Sequence, residues 1–357
     1  MIENFTPKRI LIIKLRHHGD VLLTTPVARV LKEAYPQAQI DALIYAETLD
    51  ILRYNDDFSN LYQIDRNWKK KGVRVQFGHE LGLLNTLRHN HYDLIIHLTD
   101  SWRGALISRF CAPQKSISFA YSSRNRGLWR RSFTDLVPWS EDEHTVEFHL
   151  KSLIPLGLQP QHRVPLKLQI ANKDAVSVQQ KLTKLGWKNQ SYVLVHPAAR
   201  WFFKCWDDDK MAEVIKRLLQ QNQTVVLTGG PGTSEKSLIA EIKKITGESD
   251  NLLDLSGQLT LSELAAAIAG AKLFVGVDSA PMHMAAALNI PGVALFGPTK
   301  VWLWRPWCEN ISVVDARDFG EIPDPDSIDT NTSERYLSVI PTDAVWQTVE
   351  EKLLTLK

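Results

Sequence analysis

Short, wholly apolar runs alternate along this chain with longer segments whose apolar residues recur at helical spacing. Ile10-Leu-Ile-Ile13, Tyr192-Val-Leu-Val195, Thr224-Val-Val-Leu227 and Leu273-Phe-Val-Gly-Val277 offer almost nothing polar to turn toward water. Runs of this kind suit strands of a parallel sheet covered on both faces. They predict strands over residues 9–15, 39–45, 92–98, 116–121 and 133–137 in the first half. In the second half they predict strands over 192–196, 224–228, 252–255, 273–277, 293–296 and 311–314. The intervening helical patterns cover 25–34, 77–89, 172–185, 207–221, 234–245, 260–269 and 282–288. Strand then helix, repeated, describes an α/β protein with parallel sheets.

A seam falls between Leu158 and Asn189, where Pro160 and Pro165 interrupt the pattern before a charged helix introduces a fresh Val-Leu-Val strand. The pattern divides the chain into a first Rossmann-like domain, 1–170, a second, 171–340, and a C-terminal helix, 341–357. Val345, Trp346, Val349 and Leu353 share one side of that helix, which is expected to return and cover the first domain. Two facing domains with a ligand held between them at the strand C-termini are the simplest arrangement.

Composition narrows the class. The 357 residues are 44% apolar and 23% charged, without low-complexity tracts. No run approaches the roughly 18–20 apolar residues that span a bilayer, and the N-terminus lacks a signal-peptide pattern. Cys111, Cys205 and Cys308 form neither a metal spacing nor a disulfide framework, so a reducing cytosol is expected. Net charge is only +2, yet seven basic residues and no acidic one lie between Arg103 and Arg131. A second cluster comprises Arg66, Lys69, Lys70, Lys71 and Arg74. Trp102, Phe119, Tyr121 and Trp129 interleave with the long cluster, which suits an anionic, amphipathic partner such as a phosphorylated lipid or a membrane surface. No nucleic-acid module is recognisable, and no nucleic-acid partner is expected.

The densest chemistry is in Val275-Gly-Val-Asp-Ser-Ala-Pro-Met-His-Met-Ala-Ala-Ala287, a buried strand, a sharp turn and a helix of small residues. Pro281 suits a first helical turn, where the N–H it lacks would have no partner. The turn at Asp278, Ser279 and Ala280 therefore aims backbone N–H groups and a helix dipole at a phosphate or diphosphate. Asp278 and His283 flank it with side chains able to grip sugar hydroxyls. A similar turn upstream carries Gly19-Asp20, where Asp20 is either a helix N-cap or a general base at the strand end. His17 and His18 are neighbouring polar groups and rival bases. Lys204, with Arg200 in the same loop, is either a surface cation or a neutraliser of diphosphate charge. Asp207-Asp208-Asp209 opens an amphipathic helix, where acidic residues favour the dipole and need no metal. Thr228-Gly-Gly-Pro-Gly-Thr-Ser-Glu235 matches neither the dinucleotide nor the P-loop fingerprint. It leaves Glu235 as a candidate for ribose hydroxyls, and Leu259 in the following loop as a platform for a base.

These residues resemble glycosyltransferase family 9, the bacterial lipopolysaccharide heptosyltransferases. The likeness runs along nearly the whole chain. It is most specific at Lys14-Leu-Arg-His-His-Gly-Asp-Val-Leu-Leu-Thr-Thr-Pro-Val27, at Lys204-Cys-Trp206, and at Asp278–Ala287 followed by Val293-Ala-Leu-Phe-Gly-Pro-Thr299. The first motif is most similar to the branch that adds a heptose to the second heptose of the inner core. The resemblance implies a GT-B fold, an ADP-heptose donor, inversion at the anomeric carbon, and no cofactor or required metal. It places the catalytic aspartate on Asp20, the phosphate-binding lysine on Lys204, adenine packing on Leu259 and the ribose-binding acid on Glu235. The donor turn falls on Asp278, Ser279, Ala280 and His283. Where other branches have threonines this chain has Ala198-Ala199-Arg200, so Arg200 is expected to replace hydroxyl contacts to phosphate. A phosphorylated inner-core acceptor is expected on Lys14, Arg16 and His18 and on Arg103, Arg124, Arg126 and Arg130, at the cytoplasmic surface of the inner membrane. Alternatives are transfer of another nucleotide-activated sugar, such as a UDP-hexosamine, to the same glycolipid, and a non-catalytic nucleotide-sugar-binding protein.

Overall fold

In the computed structural model the apolar runs form two six-stranded sheets, and every strand pair in both is parallel. The structure describes residues 5–124, 127–159 and 162–356. The chain divides into two compact units, Met1–Gln169 and Ile170–Lys357, each with one sheet. Pro160, expected to help break the seam, lies outside the described residues.

In the first unit the strands are β1 (Arg9–Ile13), β2 (Gln39–Tyr45), β3 (Asn60–Ile64), β4 (Leu94–His97), β5 (Lys115–Ala120) and β6 (Asp135–Pro138), in the order β3-β2-β1-β4-β5-β6. Alternate β1 side chains serve opposite faces. Ile10 and Ile12 join Val27, Leu31 and Ile96 on one, and Leu11 and Ile13 join Leu43 and Ile95 on the other. The second unit repeats the plan with β7 (Tyr192–His196), β8 (Thr224–Leu227), β9 (Leu252–Asp254), β10 (Leu273–Val277), β11 (Gly292–Phe296) and β12 (Ile311–Asp315), in the order β12-β11-β10-β7-β8-β9. In each sheet the strand order reverses beside the first strand, between β1 and β4 and between β7 and β10. Such a switch point opens a crevice at the strand C-termini, where ligands of open α/β sheets bind.

Two expectations are corrected. The C-terminal helix, Thr342–Thr355, is expected on the first domain, and it packs within the second unit, against the helix Asp208–Gln220 and strands β10 to β12. Val345, Val349 and Leu353, at i, i+4 and i+8, complete a core with Trp206, Met211 and Leu218. Arg217–Asp343, at 2.7 Å, fixes the helix from outside. Second, β3 was absent from the predicted strands. It is an edge strand whose Asn60 and Gln63 face solvent, so it lacks the two-sided apolar run that marks its neighbours.

Candidate functional site

The first group of candidates gathers where β1 and β4 end. Beyond β1 the ladder continues for one more bond on each side, Lys14 N–H to the Leu43 carbonyl and Leu98 N–H to the Ile13 carbonyl, both 3.0 Å. The chain then enters the short helix His18–Leu22. Its N-cap position is held by His17, so the N-cap reading of Asp20 is corrected: Asp20 sits inside the first turn, its side chain 19% exposed. Lys14, expected to meet the acceptor, points inward and is buried. Its ammonium donates to the Leu98 carbonyl at 2.9 Å, lies 3.0 Å from His149 Nε2 and is 3.8 Å from the Asp20 carboxylate. His149 Nδ1 faces the Leu23 carbonyl at 3.2 Å. A carbonyl can only accept, so Nδ1 carries the proton and Nε2 accepts from Lys14. Burial, with the Lys14 charge added, holds His149 well below its ordinary pKa and therefore neutral. Burial also pulls Lys14 down to about 8 against the opposing pull of Asp20.

Around this buried centre lies a polar rim. Arg16 pairs with Asp100 at 2.7 Å, and Arg124 donates to the Asp100 carbonyl at 3.0 Å while lying 5.4 Å from the Trp102 ring centre. His18 Nε2 is 2.9 Å from the Glu47 carbonyl. Arg103 turns instead to Glu80, at 2.9 Å, on the helix Val73–His89. Arg130 is exposed on the turn Arg130–Ser132. Arg126 lies outside the described residues. Thus Lys14, Arg16, His18, Asp20 and Arg124 gather at one sheet edge, and Arg103 is drawn aside. His149 gave no signal in the sequence, because what matters is its meeting with Lys14 across 135 residues.

The second group occupies the matching edge of the other sheet. After β7 the chain runs through Arg200, which is exposed, and the turn Phe202–Lys204 delivers Lys204 to Asp278 at the end of β10. Their charged atoms are 2.6 Å apart, and the two side chains are 14% and 7% exposed. Lys204 also lies 5.0 Å from the Trp201 ring centre. Burial opposes ionisation of Asp278, but Lys204, Thr299 and His283 outweigh it and hold the carboxyl below its ordinary pKa. Ser279, extended at φ −155° and ψ 170°, is the N-cap of the helix Ala280–Ala287, with Pro281 in its first turn. Asp278 N–H bonds the Leu295 carbonyl at 3.0 Å, which fixes the turn to β11. The loop after β11 is pinned by Arg317, which donates to the Gly297 and Thr299 carbonyls at 3.0 and 3.1 Å. Sequence reasoning did not single out Arg317, whose role depends on carbonyls in another loop.

Two more loops rise on the same edge. Glu235 turns back on its own loop and accepts from the Gly230 N–H at 2.6 Å. A Cβ at Gly230 would lie 2.8 Å from both carboxylate oxygens, which explains the glycine. Gly257, at φ +67°, donates to the Gly229 carbonyl at 2.9 Å and joins this loop to the one carrying half-buried Leu259. His196 meets Thr228 at 2.9 Å, and burial lowers its pKa to about 4. Two of the three acidic residues are occupied structurally: Asp207 pairs with Lys210 at 3.1 Å and Asp208 with Arg335 at 2.7 Å, while Asp209 is exposed in the first helical turn. Among the described residues no helix is long and apolar enough to cross a membrane.

The family profile described as glycosyltransferase family 9 (heptosyltransferase) matches residues 81–333. Lipopolysaccharide heptosyltransferase 3 of Escherichia coli is 41% identical over 339 residues, 95% of this chain and 96% of that one. Among solved structures, the glycosyl transferase family 9 protein from Veillonella parvula superposes with a TM-score of 0.85 at 22% identity, over 98% of each chain. The E. coli ADP-heptose lipopolysaccharide heptosyltransferase II superposes with a TM-score of 0.76 at 24% identity, again over 98% of each. The fold is therefore GT-B.

Proposed function

This chain belongs to glycosyltransferase family 9, and from that membership we propose that it transfers L-glycero-D-manno-heptose from ADP-heptose to the second heptose of the lipopolysaccharide inner core. The observation that carries the reading is the 41% identity, over nearly the full length of both chains, to a heptosyltransferase 3. The placement of the side chains at the two sheet edges supports a role for each. In the first unit Asp20 is the partly exposed carboxylate beside a buried cation, and it takes the proton from the attacking acceptor hydroxyl. That oxygen forms the new bond to the anomeric carbon from the face opposite the diphosphate, so the configuration inverts as the bond to ADP breaks. ADP departs as an anion and needs no proton.

Lys14, held by neutral His149, lies beside Asp20 and keeps it in place. Arg16, His18 and Arg124 line the rim where acceptor phosphates bind, with Arg103, Arg126 and Arg130 as further cations on the same domain. In the second unit Lys204, Arg200 and the amides of Ser279 and Ala280 stabilise the charge that grows on the diphosphate. Asp278 and His283 hold donor hydroxyls, and Leu259 packs against the adenine. Glu235 keeps the adjoining loop in shape and presents its second oxygen to the ribose. Nothing in this scheme calls for a metal ion. The acceptor is anchored in the cytoplasmic leaflet, so the protein works as a peripheral protein on the inner face of the inner membrane.

The test is ADP release from ADP-heptose, with EDTA present, on core lipopolysaccharide carrying two heptoses with and without the branch. Stimulation by the unbranched acceptor alone is expected. Turnover only on a shorter core, only with UDP-sugars, or only when metal is restored would overturn the corresponding part of the proposal.

A further inference from the structure

The helix Val73–His89 commits only part of its apolar surface to the fold. Leu87 is buried, and Leu83 and Leu84 pack against the core of the first sheet. Val73 is 83% exposed and Phe77 66%, and Leu81 is exposed as well. These three recur at i, i+4 and i+8, so they form one stripe along the helix. Trp102 and Leu106, both exposed and one turn apart, stand on the adjoining helix Trp102–Cys111, which the Arg103–Glu80 pair ties to the first. An apolar patch of this kind, bordered by polar residues, marks a surface that meets something.

The charge beside it says what. Residues 66–74 contain no acidic side chain, and Arg66, Lys69, Lys70 and Arg74 are all exposed there. An apolar stripe next to a cationic collar matches an anionic bilayer surface. The apolar side chains enter the boundary between headgroups and acyl chains, and the lysines and arginines meet lipid phosphates. A second copy of this chain would set like charge against like charge at the collar. The patch is also continuous with the edge that carries Asp20. At one end Arg66 lies 3.8 Å from the Tyr45 ring centre and 3.1 Å from Glu47, whose carbonyl meets His18. At the other, Trp102 lies under Arg124, which bonds Asp100, the partner of Arg16.

We propose that the helix Val73–His89, the preceding turn Arg66–Lys71, and Trp102 with Leu106 form a docking face for anionic phospholipid membranes. Docking holds the Asp20 edge against the leaflet that anchors the acceptor; this purpose rests on the function proposed above, whereas lipid binding itself does not.

The experiment is co-sedimentation of the full chain with vesicles of phosphatidylglycerol and phosphatidylethanolamine, and of phosphatidylcholine alone, at low and high salt. Two variants are compared with the wild type: Phe77→Ser/Leu81→Ser, and Lys69→Glu/Lys70→Glu/Arg74→Glu. The wild type should bind the anionic vesicles, weakly at high salt, and bind phosphatidylcholine poorly. Loss of three cations, at about 1 kcal/mol each, should weaken binding at least about a hundredfold, the added carboxylates only deepening the loss, and the apolar variant should lose at least tenfold. Both should keep transfer to a water-soluble, deacylated core acceptor and lose it on acceptor embedded in vesicles. Variants that bind like the wild type, or a wild type that ignores vesicle charge, would overturn the docking face. So would variants whose only change is from dimer to monomer in solution. Intact vesicle binding without transfer to either acceptor would instead overturn the function and leave the docking face standing.

Discussion

Replacing Lys204 by methionine keeps the length of the side chain and removes its charge, which isolates what the Lys204–Asp278 pair does. The two groups are 2.6 Å apart and nearly out of water. Without Lys204, Asp278 must either remain charged while buried or take up a proton. Breaking a buried pair from one side costs about 3–5 kcal/mol. The 14% exposure of Lys204 places this one at the low end, so Lys204→Met should destabilise the second unit by about 3 kcal/mol. Asp278→Asn should cost less, about 1–2 kcal/mol, because the long lysine stem can carry its ammonium toward water. The double variant contains no orphaned charge and should cost about 2 kcal/mol, leaving a coupling of about 2–3 kcal/mol between the sites. The assay is urea unfolding of the four proteins of the cycle, followed through the buried Trp206 of the second unit, with transfer measured on each. Transfer should fall about a hundredfold or more in both proteins that lack Lys204, even where stability is partly regained in the double variant. Additive stabilities would refute the reading of a coupled pair. Near-normal transfer by Lys204→Met would refute Lys204 as the group that neutralises the diphosphate.

Three further outcomes follow from buried polar groups in the same two sheets. His97 is pushed down to about 3 and His196 to about 4, both by burial, and His149 lies well below its ordinary value. All three stay neutral in the folded state while the unfolded chain takes up protons below its pKa of about 6.5, so stability falls as pH drops through that value. Each should cost about 2 kcal/mol between pH 6.5 and 5, and urea midpoints should show the first unit, with two such histidines, yielding to acid before the second. Gly104→Ala would place a Cβ 2.0 Å from His97 Nε2, on a ring stacked 5.5 Å from Phe133. The ring has nowhere to move, and a loss of about 3 kcal/mol in chemical denaturation is expected. Lys14→Met removes a charge that the fold holds at an unfavourable pKa of about 8. It also strips the Leu98 carbonyl and His149 of their partner, so transfer should slow while donor affinity holds, and transfer at the wild-type rate would contradict the positioning role given to Lys14.

How far the sequence foretold this depends on the range of each interaction. Strands such as β1 and β10 were legible because a strand covered on both faces must be apolar throughout, and the turn at Asp278–Ser279 because Pro281 suits a helix start. Lys204 and Asp278 were each visible at a strand end; their ion pair across 74 residues was not. Lys14 was assigned to the acceptor, but sequence does not show that a lysine beside a motif aspartate turns inward to a histidine contributed by the helix Thr145–Lys151. The apolar side of the C-terminal helix was readable from its period, and its partner was not, because any exposed sheet face could have received it. Edge strand β3 was missed for the opposite reason: half in solvent, it has little apolar pattern to read.

In the proposed heptose transfer everything turns on Asp20 accepting the proton of the attacking hydroxyl. This step is tested most directly with Asp20→Asn, titrated with ADP-heptose by calorimetry and assayed for transfer to the unbranched two-heptose core. Loss of a general base should slow transfer by about a thousandfold. Donor affinity should stay within a few-fold, since the residues proposed to hold the donor lie on the other unit. Transfer within tenfold of the wild type, or donor binding that collapses together with transfer, would rule out Asp20 as the base.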